Sequence, residues 1–224
     1  SKLNGFRRHF LNESTLARQF GRPSAHQPNI YFFIETRRLR IICLDSGKTG
    51  KKIDQQQMQW FHEVCQKEPR EIEKLLLLHH PLYCEDRRQK IAKQLEPLVQ
   101  QYGIRLVITA HVHNYQKYSI EYADSGHKTV YIVSGAGGAG LTPTDKLAKR
   151  RFVEDFYPSV EESNKKFKKI LGIFSPPAWL TSCKDSYPYY KSFLNISLKQ
   201  GILEVTVFKK RGFAEPAEEV RFSI

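Results

Sequence analysis

An α/β fold with mixed sheets is what this sequence predicts, and three observations carry it. Apolar runs of strand length, Leu75–Leu78 and Ile104–Ile108, alternate with amphipathic stretches of helical length. Lys74–Leu78 shows no polar alternation, the pattern of a strand buried on both faces. Beyond residue 115 the pattern changes to apolar segments separated by short turns, which marks antiparallel hairpins. Alternating strands and helices followed by late hairpins fit a two-sheet α/β/β/α sandwich.

The elements follow in order. Residues 1–30 are polar and irregular, with a short helix near Thr15–Phe20. Tyr31–Glu35 and Leu39–Asp45 read as strands joined by a tight turn at Thr36-Arg37-Arg38. Ile53–Gln66 is an amphipathic helix, because Ile53, Met58, Phe61, Val64 and Cys65 recur at roughly helical spacing. Lys74–Leu78 is the next strand, and Gln89–Gln101 a helix that Pro97 kinks or restarts. Leu106–Thr109 is a strand. Tyr118–Tyr122 and Thr129–Ser134 flank the turn signal Asp124-Ser125-Gly126, and Phe193–Leu198 and Ile202–Phe208 flank Gln200-Gly201. Val220–Ile224 is a last strand. Residues 141–190 lack periodicity and contain Pro158, Pro176, Pro177 and Pro188, so they read as a loop-rich insertion. The whole of 1–224 reads as one domain.

Composition narrows the function classes. A chain of 224 residues can bury one sizeable core. Lys plus Arg number 36 against 23 Asp plus Glu, a net charge of +13 that suits phosphorylated or polyanionic partners. The basic residues are dispersed, and the groups Lys146–Arg151 and Lys165–Lys169 lack interleaved stacking aromatics, so a nucleic-acid groove is weakly supported. Cys43, Cys65, Cys84 and Cys183 form no Cys-x-x-Cys and no zinc clip, which fits free thiols in a reducing cytoplasm. No signal peptide and no 18-residue apolar run is present. Asn12-Glu13-Ser14 and Asn195-Ile196-Ser197 match the glycosylation tripeptide, which is common by chance.

Chemistry concentrates at two strand ends. Thr109-Ala110-His111-Val112-His113-Asn114-Tyr115 follows one buried strand, and His79-His80-Pro81-Leu82-Tyr83 ends another. In an extended backbone His111 and His113 would project the same way, with Cα atoms about 7 Å apart at ~3.3 Å per residue. That spacing suits ligands to two neighbouring cations, which lie ~3.5–4 Å apart in two-metal phosphoester sites. Gly135-Ala136-Gly137-Gly138-Ala139-Gly140 matches G-x-G-x-x-G after a strand. Pro143 stands where a dinucleotide site needs its helix, and no acidic strand end follows, so that reading fails. His9, His26, His62 and His127 have no motif context and are expected in solvent. No Gly-x-Ser-x-Gly or Walker sequence is present.

His-His-Pro-x-Tyr followed by Ala-His-x-His-Asn-Tyr resembles the distal half of a calcineurin-like metallophosphoesterase, the family that includes the purple acid phosphatases. Ile41–Ser46 resembles the family's central strand ending in Leu-Asp-Ser, Ile53–Phe61 the helix after it, and Val130–Gly138 a late strand with its glycine turn. The resemblance is good over roughly residues 31–140 and loose elsewhere. It implies a metallophosphoesterase sandwich represented by its distal half. It also implies two-metal hydrolysis of phosphate esters, with a bridging hydroxide attacking phosphorus and a metal pair of iron, zinc or manganese. His79 and His111 would face one metal and His113 the other, with His80 packing or hydrogen-bonding behind them. Tyr83 and Tyr115 would line a phosphate pocket or pack beside the histidines. The glycine turn would let the chain pass close to the metal loop.

The family's first three motifs, Asp-x-His, Gly-Asp-x-x and Gly-Asn-His-Asp or -Glu, are absent from these 224 residues, whose first aspartate is Asp45. Leu3–Leu11 resembles the segment after the third motif, so the chain is expected to begin there. Its ligand set is therefore expected to be incomplete and its own activity absent, with a missing N-terminal half or a partner chain implied. No catalytic residue is assigned, since the general acid would belong to the third motif. Ala110 replaces the usual glycine before the His pair, a strain if that position needs a positive φ. The substrate expected of the parent enzyme is a phosphorylated small molecule or phosphoprotein. The alternative is a non-catalytic remnant or binding module of the same fold that holds polyanions.

Overall fold

Burial on both faces of four parallel strands organises the molecule. The computed structural model describes residues 29–69, 71–137, 152–157, 190–211 and 218–224, with Thr142 and Leu147 as isolated positions. In chain order the elements are β1 (Phe32–Glu35), β2 (Leu39–Leu44), α1 (Gln55–Gln66), β3 (Glu73–Leu78), β4 (Tyr83–Cys84), β5 (Arg87–Arg88) and α2 (Ala92–Gln101). There follow β6 (Leu106–Thr109), β7 (Tyr115–Glu121), β8 (Lys128–Ser134), β9 (Val153–Tyr157), β10 (Tyr190–Lys199), β11 (Ile202–Arg211) and β12 (Glu218–Ser223).

Seven strands form one mixed sheet in the order β1-β2-β3-β6-β8-β7-β9. The neighbours β2, β3, β6 and β8 run parallel, and β1, β7 and β9 join antiparallel at the flanks. Successive residues of β3, β6 and β8 serve opposite cores. Leu76, Val107, Tyr131 and Val133 pack with Phe61, Val64, Leu95 and Val99 of the two helices. Leu75, Leu106, Val130 and Ile132 pack with Leu203, Val205 and Val207 of the antiparallel sheet β10-β11-β12. An apolar run without alternation is the consequence of that double burial. The described residues thus build three layers, helix, mixed sheet and second sheet; an outer helical layer over β10–β12 is not among them. No described helix is long and apolar enough to cross a membrane.

The predicted strands and hairpins are present, with changes at their margins. Helix α1 starts at Gln55, where the Asp54 side chain accepts the Gln57 N–H at 2.9 Å as N-cap. Helix α2 starts at Ala92 and keeps Pro97 inside. The β4–β5 hairpin was not predicted: its turn residues Glu85 and Asp86 have φ of +51° and +59° without the Asn-Gly pair such turns prefer. Tertiary bonds hold it, since Asp86 Oδ1 accepts the N–H groups of Phe152 and Val153. Strand β9 lies in the stretch read as loop, and it closes the sheet edge against β7. Apart from β9, Phe152, Thr142, Leu147 and Tyr190, the insertion at 141–190 lies outside the described residues, as do the helix expected at Thr15–Phe20 and the charge groups Lys146–Arg151 and Lys165–Lys169.

Arg40 of β2 is fully buried and terminates α1. The helix has no basic residue in its last turn, and the guanidinium supplies donors from outside. Nη1 donates to the carbonyls of Val64 and Lys67 at 2.7 and 2.8 Å, Nη2 to Glu68 at 3.2 Å, and Nε to the Glu35 carboxylate at 2.6 Å. Arg40→Ala removes these charge-assisted hydrogen bonds from a buried site, and the expected loss is about 3 kcal/mol in urea unfolding. Arg221→Ala, which removes an exposed pair with Glu219, is the control and should change stability by less than about 0.5 kcal/mol. Equal midpoints for the two variants would refute this reading of Arg40.

Candidate metal centre

Parallel pairing brings the C-terminal ends of β2, β3, β6 and β8 to one edge, where open α/β sheets gather their sites. Asp45-Ser46 leaves β2, His79-His80 leaves β3, Ala110-His111 leaves β6 and Gly135 leaves β8. The Ala110 N–H donates to the His79 carbonyl at 3.0 Å, which carries the β3–β6 ladder one step past both strands.

The chain does not stay extended beyond that bond, so the condition for a common projection of His111 and His113 is not met. His111 has φ +62°. The Val112 N–H reaches back to the Ala110 carbonyl at 2.7 Å, and the Asn114 N–H to the Val112 carbonyl at 2.8 Å, so two tight turns follow each other. The strain expected at Ala110 falls instead on His111, a conformation that costs on the order of 1–3 kcal/mol in a residue with a Cβ. Neighbours fix the loop. A Cβ at Gly135 would lie 2.0 Å from the Val112 carbonyl oxygen, so only glycine lets β8 exit this close to the histidine loop. The Gly135 N–H donates to the Asn114 carbonyl at 3.1 Å, and Thr142 bonds the backbone of His113 on both its N–H and its C=O.

Three imidazoles converge there. One ring nitrogen from each of His79, His80 and His111 lies within 4.8 Å of those of the other two. His79 Nε2 and His111 Nδ1 stand 3.1 Å apart. His80 is 9% exposed; its Nδ1 lies 2.8 Å from Ser46 Oγ, which also accepts the His80 N–H at 3.0 Å. Gly50, at φ +60°, abuts the same ring: a Cβ there would lie 2.3 Å from His80 Cγ. Burial, then the charges of His111 and His79, push the His80 pKa down, against the opposing pull of Asp45. Burial, then His79 and His113, push His111 down as well. Both rings therefore favour the neutral form, whose lone pair a cation needs. A cleft of about 250 Å³ opens beside His80, His111 and Val112.

The structure thus joins His79 and His111, as the motifs suggested, and adds His80. His113 stands outside this group of nitrogens, and no described carboxylate enters it. Among the described residues this donor set suffices for one cation, and the anionic bridge that a metal pair needs is not among them. Tyr83 and Tyr115 are buried away from the cleft. The Tyr83 hydroxyl donates to Glu96, and Tyr115 lies in the core against the second sheet. His62 bonds the Tyr102 hydroxyl, and His127 sits between the Ile104 carbonyl and Thr129, so neither is free in solvent as expected. His9 and His26 lie outside the described residues. Cys65 is buried and Cys43 half-buried, and burial raises their thiol pKa values to about 12 and about 11, so both stay protonated. Ser46 was visible only as the end of the Leu-Asp-Ser segment, and Gly50 carried no signal beyond its place after β2.

Comparison with known proteins bears on the family and the fold. Residues 7–115 match the family model described as calcineurin-like phosphoesterase. A purple acid phosphatase, PPD1 from yellow lupin (Lupinus luteus) seeds, shares the fold at TM-score 0.53 and 14% identity. The match covers 86% of this chain and 32% of the lupin chain, so these 224 residues span about a third of that protein. GAP50, the anchor in the inner membrane complex of Plasmodium, aligns at TM-score 0.42 and 16% identity over 58% of this chain and 44% of its own. No curated protein sequence matches.

Gly135→Ala drives a methyl group into the Val112 carbonyl, and the expected cost is about 1–3 kcal/mol. Gly137→Ala, where a Cβ meets nothing within 4 Å, should leave the thermal midpoint in place. A Gly135→Ala protein as stable as its Gly137→Ala counterpart would show that the close approach is unimportant.

Proposed function

We propose that this chain, a calcineurin-like phosphoesterase over residues 7–115, contributes histidine ligands to a metal-dependent hydrolase of phosphate esters. The observation that carries the reading is the pair His79 and His111, 3.1 Å apart at the ends of adjacent parallel strands. Metal-dependent phosphoester hydrolysis is the chemistry of this family, and a bound cation there polarises a phosphoryl oxygen. His79 and His111 bind that cation, and the loop bonds from Thr142 and Gly135 fix the second ligand in place. His113 follows on the same loop, and we assign it to a ligand role that further carboxylates, absent from the described group, would complete. No bridging step is assigned to the described residues. The net charge of +13 favours anionic substrates, phosphorylated small molecules or phosphoproteins.

A second reading rests on the three imidazoles, which no carboxylate among the described residues joins: the chain is a non-catalytic module that binds a cation or polyanion without turning it over. Hydrolysis of p-nitrophenyl phosphate by the purified protein, with manganese or zinc added, separates the two. Under the first reading turnover requires the missing carboxylates from elsewhere, and where it occurs His111→Ala lowers it more than about 100-fold. Turnover that survives His111→Ala would refute the hydrolase reading of this site. A protein that binds metal and never turns over, even with an upstream segment carrying Gly-Asp and Gly-Asn-His supplied, is the non-catalytic module.

A further inference from the structure

We propose that His79, His80 and His111 hold a single zinc-class cation, with His80 as a direct third ligand. The inference deepens the metal-dependent reading of this edge but concerns the count and identity of ligands rather than turnover. Geometry carries it. Two imidazole nitrogens on one tetrahedral zinc lie about 3.3 Å apart when Zn–N is ~2.0–2.1 Å, and His79 Nε2 and His111 Nδ1 lie 3.1 Å apart. Three imidazoles around one such ion have ring centroids about 5 Å apart; those of His79–His80, His79–His111 and His80–His111 are separated by 5.0, 5.0 and 4.3 Å. The nitrogen of His80 lies within 4.8 Å of those of His79 and His111, so a small closure of the rings brings all three onto one ion.

His80 is built to be aimed. Ser46 Oγ holds its Nδ1 at 2.8 Å, which leaves Nε2 for the cation. The supporting hydroxyl is itself buried, at 1% exposure, and Gly50 leaves the ring no room to swing toward the backbone. Metal-bound histidines commonly have their second nitrogen secured in this way. The donor set also selects the ion. Three neutral nitrogens without a carboxylate suit zinc, cobalt or copper, whereas magnesium, calcium and manganese prefer oxygen donors. Three protein ligands leave the fourth position open, and the cleft beside His80 and His111 gives it access.

Calorimetric titration of the purified, chelator-treated protein with zinc tests the proposal, with cobalt absorption as a geometric readout. The expected result is one zinc per chain, intense visible bands of tetrahedral cobalt, and no displacement by millimolar manganese. His80→Asn preserves a nitrogen or oxygen near Ser46 but removes Nε2; it should weaken zinc binding at least about 10-fold, as His111→Ala does. His127→Ala, whose ring lies between the Ile104 carbonyl and Thr129 and outside the cluster, should leave the affinity within about 3-fold. Far-UV circular dichroism of each variant separates loss of a ligand from loss of fold, and Ser46→Ala, which frees the ring without removing a ligand, provides a second variant. Two zinc ions per chain, no zinc bound, or no loss of affinity in folded His80→Asn would each overturn the proposal. Because no step is read as turnover, a protein that binds one zinc and hydrolyses nothing keeps this site and discards the hydrolase reading.

Discussion

The parallel pairing of β3 with β6 is the constraint on which the rest depends. Its register sets Leu75 against Leu106 and Leu77 against Ile108, and the ladder ends in the bond from Ala110 N–H to His79 O. Because the side-chain period of a strand is two, that register also decides which residues face the helices and which face the second sheet. A slip of one residue would turn Leu76 and Val107 out of the helical core and carry the two histidine loops out of reach of each other. Stability and site share one register.

Around that pair the molecule spends rigid, specific contacts on backbone that has no regular partner. The side-chain amide of buried Gln57 bonds both the N–H and the C=O of Asp45, and Gln94 does the same for Ile53. Each is an amide standing in for a missing strand neighbour, which satisfies buried peptide groups that would otherwise be orphaned. They fix the segment from β2 to α1, and with it Ser46 and Gly50 behind the His80 ring. The left-handed turn at His111 survives for the same reason: the surrounding bonds over-determine it.

Much of this was legible in the sequence, for identifiable reasons. The central strands announce themselves because double burial removes polar alternation, and the hairpin at Gln200-Gly201 because glycine supplies a positive φ, here +83°. His79 and His111 were legible as residues just past strand ends. His80 was not, since alternation predicts opposite faces for neighbours, and alternation ceases once the chain leaves β3 at Leu78 and bends. The β4–β5 turn and strand β9 were hidden because long-range bonds hold them: Asp86 to Val153, Glu85 N–H to Gln116, Asp86 N–H to Tyr118. No local pattern encodes such partners.

The separation of His79 and His111 by 32 positions along the chain has a kinetic consequence. A zinc finger gathers ligands a few residues apart, so its ion can template folding from a disordered chain. Here the two histidines meet only after β3, the β4–β5 hairpin, α2 and β6 have assembled, and parallel crossovers of this kind form slowly. An unfolded chain presents no such cluster to an ion. A cation would therefore act as a latch on the finished sheet, slowing its opening without speeding its assembly.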